Sequence, residues 1–137
     1  MNIYERADKA AELKKNGVYN CAQAVAVVLA DQTDLSEAEL LKINSGFAVG
    51  MGNMEATCGA LVGAVIMAGL SKEGKGTVRL AKQMSEQFVK KTGASLCKDL
   101  KGRDTKVVLC PCEDCVRNAV LIYGETAGLK ENTGEDC

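Results

Sequence analysis

The sequence contains no histidine. That absence excludes a Ser-His-Asp triad, an imidazole general base at neutral pH, and zinc or haem iron held by histidine. An excess of one charge sign is missing as well: 17 basic side chains stand against 18 acidic ones, for a formal charge of -1, so no nucleic acid partner is implied. No apolar run is long enough to cross a bilayer, which takes about 20 residues. The longest, residues 58–70, is rich in glycine and alanine and reads as a buried helix, so no membrane association is expected. The start, MNIYERADKAAELKKNG, lacks the apolar core and cleavage site of a secretory signal, and the expected location is cytoplasmic. No hairpin signal, internal repeat or linker is present, and SGFAVGMG follows a predicted helix rather than a strand, which disfavours a nucleotide-binding glycine fingerprint.

What remains is a chain of 137 residues with 47% hydrophobic and 26% charged residues, ordinary for one globular domain. Residues 3–15 carry helical periodicity, with Gly17 as the stop. Asn20 is an N-cap in front of the alanine-rich CAQAVAVVLADQ. In SEAELLKINSGF, Ser36 and Glu39 have capping-box spacing, and Leu40, Leu41 and Ile43 are expected to face inward. The GFAVGMGNMEAT stretch holds Gly46, Gly50 and Gly52 and reads as a functional loop. Thr57 is placed as the cap of CGALVGAVIMAGL, where Gly59 and Gly63 form a small-residue face for a close helix neighbour. TVRLAKQMSEQFVKKTG predicts an amphipathic helix with Val78, Leu80, Met84, Phe88 and Val89 inward and Gly93 at its end. A last helix is expected over 114–123, and 107–109 is the only strand candidate.

The expected architecture is therefore all-α. It is a single helical bundle of about five to six helices over 1–129, with a Gly-rich loop, a Cys-rich C-terminal segment, and a polar, disordered tail at 130–137.

Seven cysteines, an odd number, suit a disulfide framework poorly in a reducing compartment and point to metal or cluster ligation or transient redox pairing. Cys21, Cys58 and Cys115 each follow a good N-cap residue, and Cys97 sits near another short turn. At a helix start, unpaired N-H groups and the macrodipole favour the thiolate, which is both nucleophile and ligand. In CPCEDC, the pair Cys112 and Cys115 has the C-x-x-C spacing that reaches one metal or forms a redox disulfide, while Cys110 flanks it. Met51, Met54, Met67 and Met84 read as loop and core fillers, Glu55 as a solvated carboxylate, and Cys137 as a tail thiol.

Cys21 in NCAQAV, then SGFAVGMG, CGALVG from Cys58 to Gly63, Cys97 in GASLCKDL, and CPCEDCVRNAV occur in an order that resembles the C_GCAxxG_C_C family, whose members are described as redox-active. The resemblance spans about residues 20–120; in the named motif glycine precedes cysteine, whereas here Cys58 precedes Gly59. Related domains in a cytochrome of the split-Soret type imply electron transfer. What the resemblance implies for this chain is one shared site built from Cys21, Cys58, Cys97, Cys112 and Cys115, with Gly59 and Gly63 letting backbone N-H groups approach the sulfurs.

The leading expectation is an iron-sulfur cluster held by Cys21, Cys58, Cys97 and one or both of Cys112 and Cys115, exchanging electrons with a redox partner protein. Two alternatives remain open. One is a metal-free thiol oxidoreductase with Cys112 and Cys115 as catalytic residues; the other is a structural zinc-binding interaction module.

Overall fold

The computed structural model describes residues 1–130, and among them all regular structure is helical. Seven α-helices are present, slightly more than expected: α1 (Ile3–Lys15), α2 (Cys21–Val28), α3 (Glu37–Ile43), α4 (Gly59–Ser71), α5 (Thr77–Thr92), α6 (Cys97–Lys101) and α7 (Cys112–Thr126). A 3-10 turn (Ala30–Gln32) ends the alanine-rich segment, and a wide turn (Gly50–Met54) interrupts the Gly-rich loop. The tail expected over 130–137, including Cys137, lies outside the described residues beyond Lys130.

Local chemistry explains most boundaries. Asn2, Asn20 and Ser36 each cap a helix through a reciprocal box, with Glu5, Gln23 and Glu39 returning the hydrogen bond. Gly93 closes α5 in the left-handed conformation that a C-terminal turn favours. Two caps differ from expectation. The N-cap of α4 is Cys58 rather than Thr57, because Thr57 is drawn into an isolated antiparallel bridge with Leu96. The N-cap of α7 is Pro111 rather than Asp114, since a proline has no N-H to leave unpaired and its carbonyl accepts from both Asp114 and Cys115.

α7 is the centre of the bundle, packed against α1, α2, α4 and α5. It buries Val116, Ala119, Val120, Ile122 and Tyr123 completely. Met67, Met84 and Phe88 from α4 and α5 complete this core with Leu29 and Leu40. Several inward assignments fail at helix ends. Ile43 and Val78 are exposed at the ends of their helices, Val89 is exposed because it faces away from the side that buries Phe88 and Thr92, and Val107, Val108 and Leu109 form an exposed loop rather than a strand.

α4 lies unusually close to α2. A Cβ at Gly63 would stand 2.8 Å from the Ala22 carbonyl oxygen and 3.2 Å from its Cα, both rigid backbone atoms. At the other end of the bundle, Arg6 is clamped to Asp31 by two hydrogen bonds of 2.6 and 2.8 Å, and also donates to the Val28 carbonyl at 2.8 Å.

Gly63→Val should lower stability by about 1–3 kcal/mol, the usual cost of overpacking, read as a fall in the urea midpoint. The Arg6 hydrogen bond holds the Asp31 carboxyl below its ordinary value of 3.8. Its contribution is therefore complete above that value and is lost as pH falls through the depressed native one. Asp31→Asn should flatten the acid limb of the stability curve, measured by urea unfolding across a pH series.

Candidate functional site

Six cysteines from four separate stretches of chain line one cavity: Cys21, Cys58, Cys97, and Cys110, Cys112 and Cys115 of CPCEDC. Val49, Gly59, Leu100 and Lys101 complete its wall. Five of the six thiols are buried, with exposures from 3% to 8%, and only Cys112 is half-buried. The space among them is about 10 Å³, room for no more than a single water.

Each sulfur is delivered by a helix start or by the segment just before one. Cys21, Cys97 and Cys112 are the first residues of α2, α6 and α7. Cys58 is stitched to Cys97 by a short two-stranded contact: the Cys58 amide donates to Ser95 at 2.8 Å and the Cys97 amide donates to Ala56 at 3.0 Å. Cys110 is placed when its amide and that of Leu109 both donate to the Leu100 carbonyl. Cys115 sits one turn into α7, its thiol lying between the Cys110 carbonyl oxygen at 3.5 Å and the Cys58 sulfur.

Glycine is required where backbone enters this space. A Cβ at Gly59 would stand 2.7 Å from the Cys21 sulfur and 2.6 Å from the Phe47 carbonyl oxygen. Gly50, at φ 52°, would bring one within 2.7 Å of the Cys97 Cβ. Gly63 lies outside the cavity, on Ala22, so it brings α4 close without facing the sulfurs. Val49 and Met51 take left-handed backbone at φ 56° and 63°, a costly conformation for a β-branched valine, and the Val49 amide points at the Cys21 sulfur. The loop is pinned from outside. Glu55 pairs with Arg103 at 3.0 Å and Lys98 at 3.4 Å, so this carboxylate is a clamp rather than a free acid. Met67 and Met84 fill the core and Met51 is exposed.

Helix starts do not make every sulfur a thiolate. Burial pushes the Cys21, Cys97 and Cys110 thiols up, outweighing the dipole. Cys115 also moves up, first because its proton serves Cys58 and then through burial. Cys58 alone is lowered, to about 7, chiefly by the hydrogen bond from Cys115 and further by the amides of Ala60 and Leu61. Those amides face its sulfur from the first turn of α4, although none makes a well-formed cap hydrogen bond. The sulfur favoured as thiolate is therefore that of Cys58, at its contact with Cys115. Cys112 instead meets Lys101, whose ammonium loses solvation by burial yet is held charged by that hydrogen bond and by Cys112, Cys97 and Cys21.

Lys101 was absent from the sequence-derived set, and Cys110 entered it only as a flanking residue. The four-residue step from Cys97 to Lys101 was the available signal, since it puts both on one helical face. In metal-free reduced protein, ultraviolet thiolate absorbance should show one group ionising near pH 7. Cys58→Ser should abolish that step, whereas Cys97→Ser should leave it in place.

Among the described residues, no three cysteine or acidic side chains are grouped as they would be around one metal ion. No helix of those residues is long and apolar enough to cross a membrane. No curated protein and no solved structure matches the chain. A family model described as "Putative redox-active protein (C_GCAxxG_C_C)" matches residues 19–126. With its six facing thiols inside that span, the chain belongs to the C_GCAxxG_C_C family.

Proposed function

We propose that the cavity is an electron-transfer centre in which Cys21, Cys58, Cys97 and a fourth thiol from the Cys112/Cys115 pair hold an iron-sulfur cluster. The supporting observation is the convergence of six thiols from four stretches of chain on one buried space. Simple thiol exchange needs two or three sulfurs, one of them accessible, and does not call for so many buried ones. The donor set fits a cluster in type and number, being all sulfur and exceeding the four thiolates a cluster takes, and loading it would part the sulfurs, which enclose only about 10 Å³.

When bound, such a cluster supplies one-electron oxidation and reduction. The chain's own contribution is positional and electrostatic. The Val49 amide and the first-turn amides of α4 are aimed at the Cys21 and Cys58 sulfurs, and N-H groups directed at thiolates stabilise their negative charge. Leu100 and the apolar start of α4 exclude water, while half-buried Cys112 marks the edge nearest a partner protein.

A second reading rests on the Cys58–Cys115 contact. Two thiols held in hydrogen-bond contact would together give up two electrons and two protons to a partner disulfide, becoming a disulfide themselves. This pairing differs from the C-x-x-C pair that the spacing suggests.

Anaerobic reconstitution with ferrous iron and sulfide should yield visible absorption bleached by dithionite, with iron and acid-labile sulfide in matching amounts. Cys21→Ser, Cys58→Ser and Cys97→Ser should each lose most of it, and Cys110→Ser should keep it. Protein that stays colourless and instead cycles a Cys58–Cys115 disulfide overturns the cluster in favour of the second reading.

A further inference from the structure

Lys101 is the one cation in the wall of the thiol cavity. It closes the five-residue helix α6 that Cys97 opens, so the two side chains share a face one turn apart. The other cations of this region are engaged outside the cavity: Lys98 and Arg103 reach Glu55, and Arg103 also pairs with Asp104 at 3.0 Å. Lys101 forms no ion pair with a carboxylate among the described residues. Its polar partner is the Cys112 sulfur, and its charge also faces Cys97 and Cys21.

A partly desolvated ammonium whose neighbours are neutral thiols is poorly compensated. The same ammonium beside thiolates, or beside a centre that becomes more negative on reduction, is well compensated. This cation is therefore suited to the charged state of the site rather than to the empty, protonated one.

We infer that Lys101 is the fixed counter-cation of the redox centre, a positioning residue that holds the reduction potential up by favouring the electron-rich state. The inference rests on the proposed cluster reading. An external one-electron donor adds one negative charge to the centre; no bond forms or breaks, and Lys101 keeps its proton. The field of the ammonium lowers the cost of that added charge, because net charge and hydrogen bonds to the sulfurs are what set such potentials. Arginine at this position keeps the charge, whereas methionine keeps the length and apolar stem but removes it.

The test is a redox titration of anaerobically reconstituted wild type, K101M and K101R, with iron counted in each. The expected result is a midpoint shifted to more negative potential in K101M and restored toward wild type in K101R, at equal iron content. Loss of iron uptake in K101M with uptake kept in K101R supports the same role. Urea unfolding of the metal-free, reduced proteins supplies a readout independent of the cluster: K101M should be at least as stable as wild type, since it removes a cation without a carboxylate partner. An iron-loaded K101M with an unchanged midpoint, or a metal-free K101M less stable than wild type, overturns the role of Lys101 alone. A wild type that takes up no iron overturns the cluster reading and this inference together.

Discussion

The site depends on backbone approaching where no side chain can stand. Gly59 sets the start of α4 against the Cys21 sulfur and the Phe47 carbonyl, and Gly50 sets the loop against Cys97. Those contacts set Cys21, Cys58 and Cys97 beside the sulfurs of CPCEDC. The wide turn around Gly50, the bridge between Thr57 and Leu96, and the clamp from Glu55 to Arg103 all serve to hold that approach. The strained backbone at Val49 and Met51 is held in place by Arg103, which pairs with Glu55 and donates to the Asn53 carbonyl, a pattern common where a backbone group must be aimed rather than merely accommodated.

Burial and hydrogen bonding divide the labour among sulfurs that look alike in sequence. Four of them are pushed toward the neutral thiol and one toward the thiolate. The dipole argument that applies to any cysteine at a helix start therefore holds at Cys58 and fails at Cys21 and Cys97. The difference is a neighbouring thiol that donates and two amides that face the sulfur. Where such donors are few, the loss of water around a charged sulfur decides the outcome.

Much of the architecture was legible in the sequence because it is written in short-range chemistry. Asn20 and Ser36 announce their helices through capping boxes three residues long, and Gly93 announces an end. The convergence of Cys21, Cys58, Cys97, Cys112 and Cys115 followed from helix-start placement together with the family resemblance. What was not legible is decided by partners distant in the chain. Thr57 fits the capping rules, yet Leu96 takes it into a bridge and leaves Cys58 as the cap. Pro111 opens α7 three residues before the expected start, which carries Cys115 deeper into the helix and toward Cys58. Nothing local in KDLK distinguishes Lys101 from the other lysines; the folding of α6 against the other helix starts places it in the cavity wall.

The thiols are drawn from α2, the entry to α4, α6, the loop after it and α7, whereas α1, α3 and α5 contribute none. A centre that joins all of these sulfurs closes loops spanning most of the chain, from Cys21 to Cys115, and removes their freedom from the unfolded ensemble. An occupant that binds only the folded arrangement would raise its stability by mass action, so filling the cavity and holding the fold together would be one equilibrium rather than two.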